Sequence, residues 1–192
     1  MEALEKRILQ DGRLYDGGML KVDSFLNHQI DASFLMLLAD EVKRLFSDDK
    51  ITKVLTVEAS GIAFAFPIAV KFGVPLVFAK KGHTSNQSPD TYSSPVASFT
   101  HNCTYNISVA KEYLSSEDRV LIVDDFLALG NALVGLRDII SQAGATAVGA
   151  AIAVEKAFQG GGDLLRKSGL RVESLAKIAS MDTEHGIVFS KD

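Results

Sequence analysis

The stretch Val120-Leu121-Ile122-Val123-Asp124-Asp125-Phe126-Leu127-Ala128-Leu129-Gly130-Asn131-Ala132 constrains the fold more than any other part of the chain. Its first four residues are branched or large apolar side chains with no polar alternation. Such a strand must be covered on both faces, as strands of a parallel sheet are. Two carboxylates follow at the carboxyl end of the run, where open α/β sheets bind their ligands. A small, glycine-containing turn then opens a helix, and the amides at a helix amino end form an anion site. Acceptors for hydroxyls therefore stand beside a cradle for an anion, an arrangement that suits a sugar phosphate.

The remaining sequence supplies layers to cover that strand. Residues 51–57, 74–79 and 146–154 read as strands, with Pro75 near the start of the second. Residues 62–72 and 131–142 read as helices, closed by Gly73 and Gly144. Strands alternating with helices of this length predict βαβ units around a parallel sheet. Residues 1–50 are mainly helical in pattern: Asp31 is a candidate N-cap for Phe34, Leu35, Leu37, Leu38, Val42, Leu45 and Phe46 at helical spacing. Residues 82–102 lack apolar periodicity and are expected to be an irregular functional lid. His83, Tyr92, His101 and Cys103 fall in or beside it with no ligand-like spacing, so they are read as surface residues and no protein metal site is expected.

At 192 residues one domain is expected. The net charge of −4 argues against a general nucleic-acid or membrane-surface binder, and no apolar run approaches a membrane span. Residues 1–9 form an amphipathic helical pattern rather than a signal peptide, and Cys103 has no second cysteine to pair with. These features point to the cytoplasm.

Three further groups lie at expected strand ends. Glu58-Ala59-Ser60-Gly61 is either an ordinary strand-to-helix turn with Ser60 as N-cap or a second anion-binding turn. Lys80-Lys81 is either a solvated pair or a counter-charge at the same sheet edge. Glu155-Lys156 is either a salt-bridged strand end or part of the site.

The run of apolar strand, two acids, small-residue loop and helix resembles the phosphoribosyl-diphosphate motif of the type I phosphoribosyltransferases. The resemblance extends over nearly the whole chain. It includes Val22-Asp23-Ser24-Phe25-Leu26-Asn27-His28-Gln29-Ile30, Val154-Glu155-Lys156-Ala157-Phe158-Gln159 and Arg171-Val172-Glu173-Ser174-Leu175-Ala176, and is strongest to the family's xanthine-using bacterial members. It implies a central parallel sheet flanked by helices, with a core at about 51–157 and a small hood from residues 1–50 and the C-terminal segment. It implies that Asp124 and Asp125 bind the ribose hydroxyls and that Ala128, Leu129, Gly130, Asn131 and Ala132 hold the 5′-phosphate. Glu58, Ala59, Ser60 and Gly61 would receive the pyrophosphate, with Lys80 and Lys81 neutralising it. Leu20, Asn27, Phe126 and Lys156 would surround the purine. Mg²⁺ held mainly through the substrate, a homodimer, and transfer of ribose 5-phosphate to N9 of xanthine are further implications. A purine regulator that senses phosphoribosyl diphosphate without catalysis, and an enzyme preferring guanine or hypoxanthine, remain alternatives. Leu129, Asn131 and Ala132 replace the threonines usual around the glycine, and Ala128 stands where some members place a carboxylate base.

Overall fold

The computed structural model describes residues 1–82, 90–98 and 103–190. From the amino end come α1 (Glu2–Asp11), a two-stranded hairpin of β1 (Arg13–Tyr15) and β2 (Met19–Lys21), a π-helical turn over Asp23–Asn27, and α2 (Ala32–Leu45). Asp31 caps α2 as expected, its Oδ1 accepting from the Phe34 amide at 3.1 Å.

The central layer is built from β3 (Lys53–Val57), β4 (Leu76–Lys81), β5 (Thr91–Ser98), β6 (Cys103–Ala110), β7 (Arg119–Leu127), β8 (Thr146–Lys156), β9 (Val172–Asp182) and β10 (Gly186–Phe189). They form one sheet of order β10-β9-β8-β7-β3-β4-β6-β5. The pairs from β9 through β4 are parallel, while β10, β6 and β5 join antiparallel, so the expected parallel sheet gains an antiparallel margin at both edges. Helices α3 (Ser60–Phe72), α4 (Asn131–Gln142) and the short α5 (Gly161–Lys167) complete the chain. α3 ends as expected at Gly73, whose φ of 70° is left-handed and open to glycine without strain.

The run Val120–Val123 is buried on both faces. Leu121 and Val123 join a core with the N-terminal segments, α2 and α3, and Val120 and Ile122 join a second core with α4. That double burial is why the segment carries no polar alternation. β7 continues to Leu127, so the two acids belong to the strand itself. Its pairing with β3 ends at Ile122, however, while pairing with β8 runs on to Leu127. Asp124 and Asp125 thus lie past the last β3 pair.

The expectation of an irregular lid over 82–102 is corrected for residues 91–98. They form β5, paired residue for residue with β6 from Thr91↔Ala110 to Ser98↔Cys103. Ser94 and Val96 point into the core while Ser93, Pro95 and Ala97 are exposed, so the period-two pattern is present but is written in small and polar residues. Pro95 is tolerated because β5 is the edge strand. Gly135 lets the hairpin close on α4: a Cβ there would stand 2.7 Å from Val96 Cγ2. Tyr92 packs against the second core rather than lying free on a flap, and Cys103 begins β6. His83 and His101, with residues 83–89 and 99–102 of the expected lid, lie outside the described residues.

Candidate active site

Asp125 is the meeting point of three chain segments. Its Oδ2 accepts from Asn27 Nδ2 at 3.1 Å, and its Oδ1 accepts from Ser60 Oγ at 3.0 Å. Asn27 comes from the π-helical turn of the N-terminal segment, and Ser60 from the turn between β3 and α3. Ser60 is therefore the first residue of α3, and its hydroxyl reaches across to Asp125 instead of capping the helix. Because a carboxylate can only accept, the contact fixes the Asn27 amide with Nδ2 toward Asp125. Asn27 Oδ1 is left buried without a partner, an acceptor waiting for a donor.

Asp124 lies beside it, also buried, and its Oδ1 accepts the Asp125 amide at 3.1 Å. Burial first, and then the adjacent Asp125 carboxyl, push the Asp124 carboxyl well above the usual carboxylate range; Lys81 pulls weakly the other way. Gly61 permits this proximity, since a Cβ there would stand 2.2 Å from Thr56 Oγ1 and 3.1 Å from Asp124 Oδ1. The turn itself, whose Glu58–Ala59 peptide is cis, is tied to β4 by Glu58 Oε1, which accepts the Lys81 amide at 2.7 Å.

Adjacent strand residues point to opposite faces, and the two lysines separate accordingly. Lys81 Nζ lies 5.4 Å from the centre of the Tyr105 ring and bears on Asp124. Lys80 lines a different cavity of about 400 Å³ with Pro75, Phe78, Thr91 and Tyr113.

A second cavity, of about 510 Å³, brings together Phe126, Ala128, Leu129, Gly130, Asn131, Ala132 and Lys156, with Tyr105 and Ala97 from the β5–β6 hairpin. Gly130 has a left-handed φ of 85° and immediately precedes α4, so the loop amides open onto the helix amino end. The Asn131 side chain is engaged elsewhere, its Nδ2 donating to the Ala97 carbonyl at 2.9 Å. Lys156 Nζ donates to the Gly18 carbonyl at 3.1 Å and stands 5.8 Å from the centre of the Phe126 ring. Burial holds this lysine below its ordinary pKa. Leu20, almost fully buried in β2, belongs to the same N-terminal hairpin as Gly18.

Glu155 points away from this cavity into a buried ion pair, its two oxygens accepting from Arg166 Nη1 and Nη2 at 2.9 and 2.7 Å, with the Ser174 hydroxyl as a third donor. Burial alone would raise its carboxyl; Arg166 and Ser174 instead hold it below the usual range. Tyr105 and Arg166 are additions to the residues read from sequence. The alternation of Tyr105, Ile107 and Val109 was the available signal for the first; nothing local marks Arg166 as the partner of Glu155.

The phosphoribosyl transferase domain model matches residues 23–179. The chain is 50% identical over 192 residues to a xanthine phosphoribosyltransferase of Brevibacillus brevis, covering 100% of this chain and 97% of that one. It is 52% identical over 182 residues to a protein of the same name from Ruminiclostridium cellulolyticum, covering 95% of this chain and 96% of the relative. Among solved structures, the adenine phosphoribosyltransferase of Giardia lamblia with 9-deazaadenine superposes with a TM-score of 0.78 at 20% identity, over 91% of this chain and 97% of that one, a likeness of fold.

Proposed function

The chain belongs to the phosphoribosyltransferase family, and from that premise we propose that it transfers 5-phosphoribose from phosphoribosyl diphosphate to N9 of xanthine, giving xanthosine 5′-phosphate and pyrophosphate in purine salvage. The observation that carries this reading is the convergence on Asp125 of Asn27 and Ser60. It joins a base-side residue, a ribose-side acid and the turn for the leaving group through one carboxyl.

In the proposed reaction xanthine enters as its anion, its proton already lost to water; the C1′–O bond breaks with its electron pair leaving on pyrophosphate, and the N9 lone pair forms the new C1′–N bond. Asp124 and Asp125 accept from the ribose hydroxyls and hold C1′ in place, acting as neither nucleophile nor base. The amides of the Glu58-Ala59-Ser60-Gly61 turn, together with Lys81, stabilise the charge that develops on the leaving group. Lys80 serves the same charge from farther away, across the pleat. Ala128, Leu129, Gly130, Asn131 and Ala132 hold the 5′-phosphate, and for Asn131 this contact is through the backbone. Leu20 and Phe126 pack on the purine. Lys156 donates to its 6-oxo group, which disfavours the 6-amino group of adenine, and Asn27 Oδ1 accepts from a ring N–H.

Mg²⁺ completes the proposal. Among the described residues no three His, Cys, Asp or Glu side chains gather into a metal site, and the pair Asp124–Asp125 offers only two carboxyls. That donor set suits an ion held mainly by substrate phosphate oxygens and water; bound there it would neutralise charge on the departing pyrophosphate.

Purified protein with Mg²⁺ and phosphoribosyl diphosphate is expected to release pyrophosphate fastest with xanthine, more slowly with guanine and hypoxanthine, and not with adenine. Equal or faster release with guanine would reassign the base. No release with any purine would leave the effector-binding regulator.

A single domain over 1–192, with its hood from residues 1–50 and the C-terminal segment, is part of the same reading. So are a cytoplasmic location and a homodimer. Among the described residues no helix is long and apolar enough to cross a membrane. Phe66 and Val70, four residues apart on α3, are both more than half exposed, an apolar face suited to a second copy. Light scattering is expected to report twice the chain mass of 20.7 kDa; a mass equal to one chain would remove the dimer.

A further inference from the structure

The phosphate loop rests on another piece of backbone. The Gly161 amide donates to the Ala128 carbonyl at 3.2 Å. A Cβ on Gly161 would stand 2.3 Å from Ala128 O, 2.4 Å from the Leu129 carbonyl carbon and 2.7 Å from Gly130 N. Those are backbone atoms, so no rotamer change could relieve the overlap. The next residue is as tightly placed: a Cβ on Gly162 would stand 1.9 Å from Glu155 Oε1 and 2.8 Å from Arg166 Nη1. The start of α5 is thus wedged between the loop over 128–130 on one side and the Glu155–Arg166 pair on the other. The pair fixes α5 in two ways, since Arg166 grips Glu155 with both Nη atoms while its Nε donates to the Val172 carbonyl at 3.3 Å.

Neither Gly161 nor Arg166 is among the residues assigned to a substrate. We propose that both are positioning residues for the 5′-phosphate. Gly161 sets the height of the loop whose amides bind it, and Arg166, through Glu155, sets the height of Gly161. The bidentate fork of arginine is what defines that spacing, because a lysine offers one point charge in place of two parallel donors. The inference rests on the reading of 128–132 as the phosphate loop. It adds that the affinity of this loop is determined partly from Glu155 and α5, behind the loop.

The test is the kinetics of Gly161→Ala and Arg166→Lys, with ribose 5-phosphate and pyrophosphate as separate inhibitors of the wild type and both variants. Ribose 5-phosphate keeps the loop's ligand and lacks the leaving group; pyrophosphate is the converse. In Gly161→Ala, the KM for phosphoribosyl diphosphate and the inhibition constant of ribose 5-phosphate are both expected to rise tenfold or more. The inhibition constant of pyrophosphate and the KM for xanthine should stay within twofold. Arg166→Lys is expected to show the same split at smaller size, and it carries the test if Gly161→Ala does not fold. A general loss of structure would move all four constants together and overturn the proposal, as would a folded variant with an unchanged KM for phosphoribosyl diphosphate. If the wild type neither releases pyrophosphate nor binds ribose 5-phosphate, the functional reading itself fails and this proposal falls with it.

Discussion

Asp125→Ala is expected to lower kcat/KM for phosphoribosyl diphosphate by about 10³-fold, measured as pyrophosphate release at saturating xanthine. The carboxylate is proposed to accept from ribose hydroxyls, and hydrogen bonds to a charged group are worth roughly 1.5–3 kcal/mol each. Losing two of them corresponds to about 4 kcal/mol, or three orders of magnitude. The same change strips Asn27 Nδ2 and Ser60 Oγ of their acceptor, so the KM for xanthine should rise as well. Asp124 separates the contributions. Its carboxyl binds a proton more tightly in the folded chain than in the unfolded one. The stability this confers is complete below the unfolded carboxyl pKa and is lost as pH rises toward the folded value. Asp124→Asn keeps an acceptor for the Asp125 amide and removes the titration. It should therefore raise Tm near neutral pH while lowering kcat/KM by about 10²-fold. It should leave the KM for xanthine nearly unchanged, because Asn27 does not touch Asp124. An Asp124→Asn variant with no gain in Tm, or an Asp125→Ala variant within tenfold of wild type, would overturn the division of roles.

What the sequence could reveal followed from where its signals were undiluted. The run Val120–Val123 carries no polar residue because both faces are buried, so burial and parallel pairing could be read directly. α4 occupies the residues its pattern predicts, 131–142, since an apolar face and flanking glycines mark it. β5 was hidden because its inward residues are Ser94 and Val96 and its outward ones Ser93, Pro95 and Ala97, which leaves hardly any contrast in polarity. β9 was blurred likewise: Glu173, Ser174 and Lys177 interrupt its buried Val172, Leu175, Ala176 and Ile178. The acids and Lys156 were legible as types at strand ends. Their partners were not, because Asn27–Asp125 spans 98 residues and Lys156–Gly18 spans 138. Lys80 stands next to Lys81 in sequence, yet strand geometry sends it to the other face, a separation no local signal marks.

Lys156→Ala is expected to lower kcat/KM for xanthine by about 10²-fold, the scale of one lost hydrogen bond to a charged group, with the KM for phosphoribosyl diphosphate within twofold. Lys156 is only partly buried, its hydrogen bond runs to the neutral Gly18 carbonyl, and the Phe126 face lies beside it. A substrate oxygen can therefore take up a donor that no carboxylate already holds. The pH profile distinguishes this role from packing. The loop over 128–132 carries no carboxylate, so the proton on the purine has to leave by other means, and xanthine can shed it before binding. Turnover of xanthine should then rise with pH through the base's own ionisation, whereas turnover of guanine should not. On the alkaline side, Lys156 loses its proton below the ordinary lysine range because burial disfavours the charge, and xanthine turnover should fall there. In Lys156→Ala the rise should persist, since it belongs to the substrate, and the alkaline fall should disappear, since it belongs to the lysine. A flat xanthine profile would remove the anion from the mechanism. An alkaline fall that survives in the variant would remove Lys156 as the donor to the 6-oxo group.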